Sequence, residues 1–470
     1  MPMQPNRNFE GRAVRLLLIS LVLAGTALSP APALAQTTIP EDIARQIAAM
    51  QAEIARLSAE VAELKAEKDE REAVPPVPFA PAVAAVSPAL SVPVPIETEW
   101  KAAPEMSSGD GFTFKPRGRL QLDTATVEAP DGVAGHGLGV GTEIRRAFLG
   151  VEGSLPGDFG YRIEADLANS SVELTDVFIN FKPSDELTLT VGQHKPFGGI
   201  EELTSDLFTS MLERAAFTSA FGFERRVGLS GAWSGGDLLV QVGAFADNAE
   251  DLIDDSNNSY SLDGRVVFSP EVGGGRLHLG GSAHYRDLND ASPTVRYRAR
   301  PFVHTTDVRL VDTGDITATG ERNFGAELAY VRGPFHATAE GHVMTTLRPG
   351  LDDPTFWGGY VEVGMVVTGG DTTAYKGGAY DRIKPTDPVS EGGIGAIQLN
   401  VRYDRIDLND GAIVGGTQEA LGFSAIWIPT DYVRFLFNYG HLWVGDAAVP
   451  AGTDTDYQVD TMGVRAQFDF

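Results

Sequence analysis

A chain of 470 residues with no cysteine and a formal net charge of -27 rules out several classes at once. Disulfide frameworks, thiolate metal centres and cysteine nucleophiles are impossible, and so acidic a chain does not bind nucleic acid or anionic membrane surfaces non-specifically. A mean hydropathy of -0.09 alongside 43% hydrophobic residues suits a protein in which only alternate residues need be apolar.

Residues 1–35 read as an export signal. Arg7, Arg12 and Arg15 precede an apolar run from Leu16 to Leu28, and Ala33, Leu34 and Ala35 form a small-residue cleavage site before Gln36. Nothing later offers about 18 uninterrupted apolar residues, so membrane insertion has to use strands.

Residues 36–73 are expected to form a short N-terminal α-helical coiled coil. Ile43, Ile47, Met50, Ile54, Leu57, Val61 and Leu64 recur at alternating spacings of four and three, which places them on one seam. Ile47, Ile54 and Val61 at the a positions lean toward a dimer. Ile43 and Met50 at d weaken that lean, so two and three strands both stay open. A single amphipathic helix packed on another domain is the bland alternative. Residues 74–110 are rich in Pro, Ala, Val and Ser and are expected to be an extended linker without a fold of its own.

From residue 111 to 470 the chain reads as strands and turns. Between Arg145 and Gln193, Leu149, Val151 and Leu155 alternate with Gly150, Glu152 and Ser154, and Tyr161, Ile163 and Ala165 with Arg162, Glu164 and Asp166. The apolar face would be the core of a soluble sandwich or the lipid face of a membrane barrel, and periodicity alone does not choose. About sixteen such segments follow one another, an even number, with short turns alternating with long polar loops. By parity residues 370–393 then form a long connection at the short-turn end. The last strand ends Val464, Ala466, Phe468, Phe470, like the closing strand of bacterial barrels. The predicted fold is an all-β, antiparallel transmembrane β-barrel.

Particular residues carry a resemblance. Arg145 to Gly153, Val172 to Lys182 with Asp176, Val191 to Gln193, Glu201 to Asp206, Glu213, Arg214, Arg225 to Gly228, Tyr360 to Gly370, Tyr375 to Gly377 and Gln398 to Leu408 resemble the phosphate-selective porins (the O/P family) over roughly 112–470. The resemblance implies a homotrimeric sixteen-stranded barrel in the Gram-negative outer membrane, among lipid and lipopolysaccharide. Its third and fifth loops and one long periplasmic turn would fold into the lumen. Phosphate, polyphosphate or other small anions would be the permeants, with no cofactor, no metal and no enzymatic activity.

The residues of such a pore can be named. Residues 194–224 are too long and too apolar for a solvated loop, with Phe197, Leu207, Met211, Phe217 and Phe221 among them, and are expected to pack inward. There Lys195, Arg214, Arg225 and Arg226 oppose Glu201, Glu202, Asp206, Glu213 and Glu224. Arg145, Arg146, Arg162 and Asp176 join them from the strands. Lysine is scarce compared with the family's phosphate-binding region. Arg296, Arg298 and Arg300 share one face of an extended segment about 7 Å apart, flanked by Arg286 and Arg309. Such a ladder suits an anion pore, and its spacing matches the arginine ladder that the resemblance puts in the fifth loop. An exposed basic loop is the plainer alternative. Residues 112–470 carry 28 Lys and Arg against 50 Asp and Glu, so the placing of the cations matters more than their number. His336 and His342 are about 20 Å apart along a strand, too far to share a metal. Asp247, Asp251, Asp254, Asp255, Asn257 and Asn258 could hold a cation or form a solvated loop. Two further functions stay open: a less selective pore for small anionic or neutral nutrients, and an envelope tether acting through the coiled coil.

Overall fold

The computed structural model describes residues 96–135, 137–168, 171–253, 259–289 and 294–470. The expected signal segment, the coiled-coil seam from Ile43 to Leu64 and most of the linker lie outside the described residues.

Sixteen antiparallel strands form one closed wall: β1 (Thr113–Glu128), β2 (Gly139–Leu155), β3 (Phe159–Asp166), β4 (Glu173–Phe181), β5 (Leu187–His194), β6 (Arg226–Gly235), β7 (Leu238–Phe245) and β8 (Tyr260–Phe268), then β9 (Gly275–Asp287), β10 (Gly320–Arg332), β11 (Phe335–Leu347), β12 (Thr355–Val366), β13 (Ala396–Asp410), β14 (Ile413–Thr430), β15 (Val433–Gly445) and β16 (Tyr457–Asp469). Each pairs with the next, and β16 pairs back onto β1 from Asp460 opposite Glu128 to Asp469 opposite Arg119. Closure leaves the wall without an unpaired edge, which a membrane-spanning sheet requires.

Alternation then sorts the side chains, in the sense opposite to a soluble protein. Along β1, Arg119, Gln121 and Asp123 are at most 8% exposed, while Leu120 and Leu122 between them are 38% and 43% exposed. Leu149, Ile163, Leu229, Val361, Val401, Phe423 and Val464 likewise point outward, and Arg265, Glu327, Arg402, Asn438 and Arg465 are buried. A sandwich would bury the first set, so the choice left open by periodicity falls to the barrel.

Two stretches differ from the sequence reading. The linker assigned to 74–110 contains a β-hairpin, Ile96–Lys101 paired with Ala103–Ser108, whose end also pairs with the start of β1. Polar and aromatic residues past the last clustered proline, from Thr98 to Trp100, give it strand character that the proline-rich average conceals. Residues 408–416, which lie between the alternating segments read at 394–407 and 417–428, instead extend β13 and β14 to a two-residue turn in which Gly411 has a φ of 59°. A register shift between Asp407 and Asn409 interrupts the alternation there.

The apolar core lies inside the barrel, where loops fill the lumen. Met211, Phe217 and Phe221 from residues 195–225, and Tyr297, Phe302, Leu310 and Val311 from residues 288–319, pack on wall residues such as Phe356, Tyr360 and Leu442. Glycines on the inner wall make room for them. A side chain at Gly358 would collide with Phe217, one at Gly463 with Leu212, and one at Gly422 or Gly440 would come within 2.6 or 2.7 Å of the Phe302 ring.

Candidate functional site

Three connections meet inside the wall. The third long loop, residues 195–225, carries two short helices, α1 (Ile200–Leu203) and α2 (Ala216–Ala220). Buried arginines of the wall hold it. Arg402 lies between Glu201 at 2.5 Å and Glu362 at 2.8 Å, its guanidinium 4.3 Å from the Tyr360 ring centroid. Arg434 donates to the carbonyl oxygens of Leu207 and Thr209, both at 2.6 Å. Arg465 pairs with Asp123 at 2.7 Å and with Glu213 at 3.1 Å. Each of these three wall charges thus meets a loop partner or a carboxylate, as burial in a low-dielectric wall demands.

The connection between β12 and β13, which strand parity puts at the short-turn end, also turns inward, as the resemblance implied for one long periplasmic turn. Its small hairpin, Ala374–Lys376 with Ala379–Asp381, reaches His278 through the Tyr375 hydroxyl at 2.6 Å. Arg265 donates to its Gly378 carbonyl at 2.7 Å, and its Tyr380 N–H donates to Thr204 of the third loop at 3.2 Å.

The fifth long loop, residues 288–319, presents the arginine triplet. Arg298–Ala299 pairs with Val311–Asp312, so the segment is extended and its side chains alternate. Tyr297 and Ala299 sink into the core, while Arg296, Arg298 and Arg300 line one cavity. Their environments differ. Arg296 makes a two-pronged pair with Asp312 at 2.7 and 2.6 Å. Arg300 donates to the Thr306 carbonyl at 3.1 Å and to Asp307 at 3.3 Å. The Arg298 side chain makes no hydrogen bond or ion pair among the described residues, although its charge helps hold the Asp312 carboxyl below its ordinary value.

The remaining space forms two main cavities. One, of about 390 Å³ at the long-loop end, is lined by Arg145, Arg214, Arg296, Arg298, Arg300 and Arg309, with Glu213 and Glu224 as its only acidic groups. Arg309 is pushed down to about 10, first by burial and then by Arg300 and Arg298. The other, of about 620 Å³ at the short-turn end, has eight Lys and Arg, among them Arg162, Lys195 and Arg225, against six acids that include Asp176 and Asp206. Both are more basic than acidic, although the whole chain is strongly acidic.

Between the cavities the charges interlock. Arg145 pairs with Glu213 at 2.9 Å, Arg146 with Asp206 at 2.6 Å, and Arg225 with Asp176 at 2.6 Å. Arg162 reaches Glu152 at 2.8 Å and Asp176 at 3.4 Å. Lys195 pairs with Glu202 at 2.7 Å and is pushed down to about 8, by burial first and Arg214 second. Burial works to raise the Asp206 and Glu213 carboxyls, yet Arg119 and Arg146 hold the first, and Arg145 and Arg465 the second, well below the usual carboxylate range.

Three of the expected pore residues line neither main cavity. Arg286 is held in the wall by Asp247 at 2.7 Å and Ser259 at 3.0 Å. Arg226 is buried, and its Nη1 has no hydrogen-bond partner. Arg146 is tied to Gln121 and Asp206. Conversely Arg117, Arg119, Arg382 and Lys384 line the short-turn cavity without having been singled out. For Arg119 the available signal was parity, since it shares a face with Gln121 and Asp123 while Leu120 and Leu122 point outward. His336 and His342 are separate wall residues bonded to Glu362 and Asn323, and no metal-binding cluster occurs among the described residues. Asp247 turns inward to Arg286 and Ser259.

Comparison with known proteins agrees with this architecture. The family model described as "Phosphate-selective porin O and P" matches residues 114–470. An uncharacterized protein of Caulobacter vibrioides is 41% identical over 96% of both chains, and Porin O of Pseudomonas aeruginosa is 27% identical over 65% of this chain and 75% of its own. Among solved structures, the trimer form of OmpT, an outer membrane protein of Vibrio cholerae, superposes with a TM-score of 0.50 at 11% identity, covering 77% of this chain and all of that one. With its closed wall and loop-filled lumen, the chain belongs to the phosphate-selective porin O and P family and is a porin of the Gram-negative outer membrane.

Proposed function

We propose that this porin carries out passive diffusion of small anions, phosphate among them, through a water-filled path lined by arginine. The observation that carries the reading is the long-loop cavity, where six arginines face two glutamates in a chain of net charge -27. Water at both mouths and low-dielectric walls focus that local excess onto a passing ion, whereas the acidic groups elsewhere are screened by salt. Arg298, the member of the triplet whose side chain has no bonded carboxylate, is the one whose charge is least offset within the triplet. Reversal potential across a planar bilayer in a potassium chloride gradient tests the proposal. A chloride-preferring channel is expected, and a cation preference unaltered by neutralising Arg298 refutes it.

The same reading includes a homotrimer. Strands β3 and β5 have eight residues each; at about 3.3 Å per residue and a tilt near 40° they span about 20 Å, less than the roughly 25 Å apolar band of an outer-membrane barrel. Strands β13 to β15 have 15, 18 and 13 residues and carry outward Tyr403, Trp427, Tyr439 and Trp443, the aromatic belts of a lipid-facing wall. We therefore assign the short side, with Leu149, Ile163 and Val191 exposed, to contact between copies of the chain.

A further inference from the structure

Glu202 stands between the two cavities. One of its carboxylate oxygens lies 2.7 Å from the Lys195 ammonium, which lines the short-turn cavity, and the other lies 3.6 Å from Arg214, which lines the long-loop cavity. The carboxylate is buried, and its neighbours draw it below the usual range against the effect of burial. An ion crossing from one cavity to the other at this level meets two cations whose seat is already filled by an anion of the protein itself.

We propose that Glu202 is a tethered stand-in for the permeant, and that the Lys195 and Arg214 seat it occupies selects small monocarboxylates over phosphate. This rests on the anion-pore reading above and deepens it. The chemistry of the seat gives the class. Arg225 is committed to Asp176 at 2.6 Å. The Nε of Arg214 donates to the Glu201 carbonyl at 3.2 Å and its Nη2 to the carbonyl oxygens of Thr204 at 3.1 Å and Glu202 at 3.5 Å, while the Lys195 ammonium also donates to the Glu202 carbonyl at 2.7 Å. What is left is two hydrogens of one ammonium, with the charge of Arg214 beside them, enough for the two oxygens of a singly charged carboxylate. A tetrahedral dianion brings four oxygens and two charges, so it leaves acceptors unpaired and a charge uncompensated. Because a ligand binds only when the seat is empty, its apparent affinity is the intrinsic one reduced by the fraction of time Glu202 is out.

Single channels of the full-length protein in planar bilayers, with acetate or inorganic phosphate added to potassium chloride at fixed ionic strength, test this. Acetate is expected to block chloride current at lower concentration than phosphate. Glu202→Gln vacates the charge and lowers the half-blocking acetate concentration about tenfold if the seat is empty less than about a tenth of the time. Lys195→Gln acts in the opposite direction and weakens acetate block. Half-block by acetate within twofold of wild type in Glu202→Gln, or phosphate blocking more tightly than acetate in that variant, overturns the assignment. Should Glu202→Gln not assemble, unchanged acetate block in Lys195→Gln overturns it equally. Reversal potentials from the same channels separate the two levels: chloride preference with unchanged block removes only the seat, and cation preference removes the pore reading beneath it.

Discussion

Replacing Arg298 with glutamine removes the member of the triplet that no carboxylate is bonded to. A sphere of about 390 Å³ has a radius of about 4.5 Å, and at that distance one unit charge in water acts on a central ion with about 1 kcal/mol. That corresponds to about a fivefold change in local chloride concentration at low salt. With a Debye length of about 10 Å at 0.1 M the effect falls to about threefold, and at 1 M, where the length is about 3 Å, it nearly disappears. The control is Arg296→Gln with Asp312→Asn, which deletes a cation together with the carboxylate bonded to it at 2.6 and 2.7 Å and leaves the cavity's net charge unchanged. Chloride-to-potassium permeability ratios from reversal potentials at 0.1 and 1 M potassium chloride are the assay. The reasoning is refuted if the paired deletion shifts the ratio as much as Arg298→Gln does, or if the Arg298 effect is independent of salt.

Other outcomes follow from the same geometry. Lys195, pushed down to about 8, is charged below that pH and neutral above it, so chloride preference should decline between pH 7 and 9, and Lys195→Arg should flatten that profile. Arg402→Met leaves Glu201 and Glu362 buried without their shared cation. Breaking such a pair costs about 3–5 kcal/mol; single-channel conductance should become larger and noisier as the third loop leaves the wall, with a lower midpoint of thermal unfolding in detergent. A methionine variant indistinguishable from wild type in both measurements counts against loop anchoring by Arg402. Because the chain has no cysteine, single cysteines report subunit contacts cleanly. Ile163→Cys on the short side should cross-link between copies and Val401→Cys on the aromatic-belted side should not; the reverse pattern defeats the assigned contact face.

Period-two alternation carries one bit per residue, and it was enough to predict strands, their approximate number and, by parity, a long connection at the short-turn end over residues 370–393; that this connection folds inward came only from the resemblance. It was also enough to put Arg402 and Arg465 on a polar face, although their spacing alone did not mark them as loop anchors. The alternation did not say which face meets water, since Leu120 beside Arg119 reads the same in a sandwich and in a barrel; only closure of β16 onto β1 turned the apolar set outward. Composition averaged over 74–110 concealed the hairpin at 96–108.

The charge layout divides along the same line. The linear chain determined that Arg296, Arg298 and Arg300 share a face, because residues two apart in an extended segment must. Which of them is free was decided by Asp312 and Asp307, brought opposite by the fold of the fifth loop. The meeting of Lys195, Glu202 and Arg214 belongs to tertiary structure as well. Ion pairing falls off with distance through space, and the path of the third loop across the lumen is set by wall glycines and arginines up to about 250 residues further along the chain.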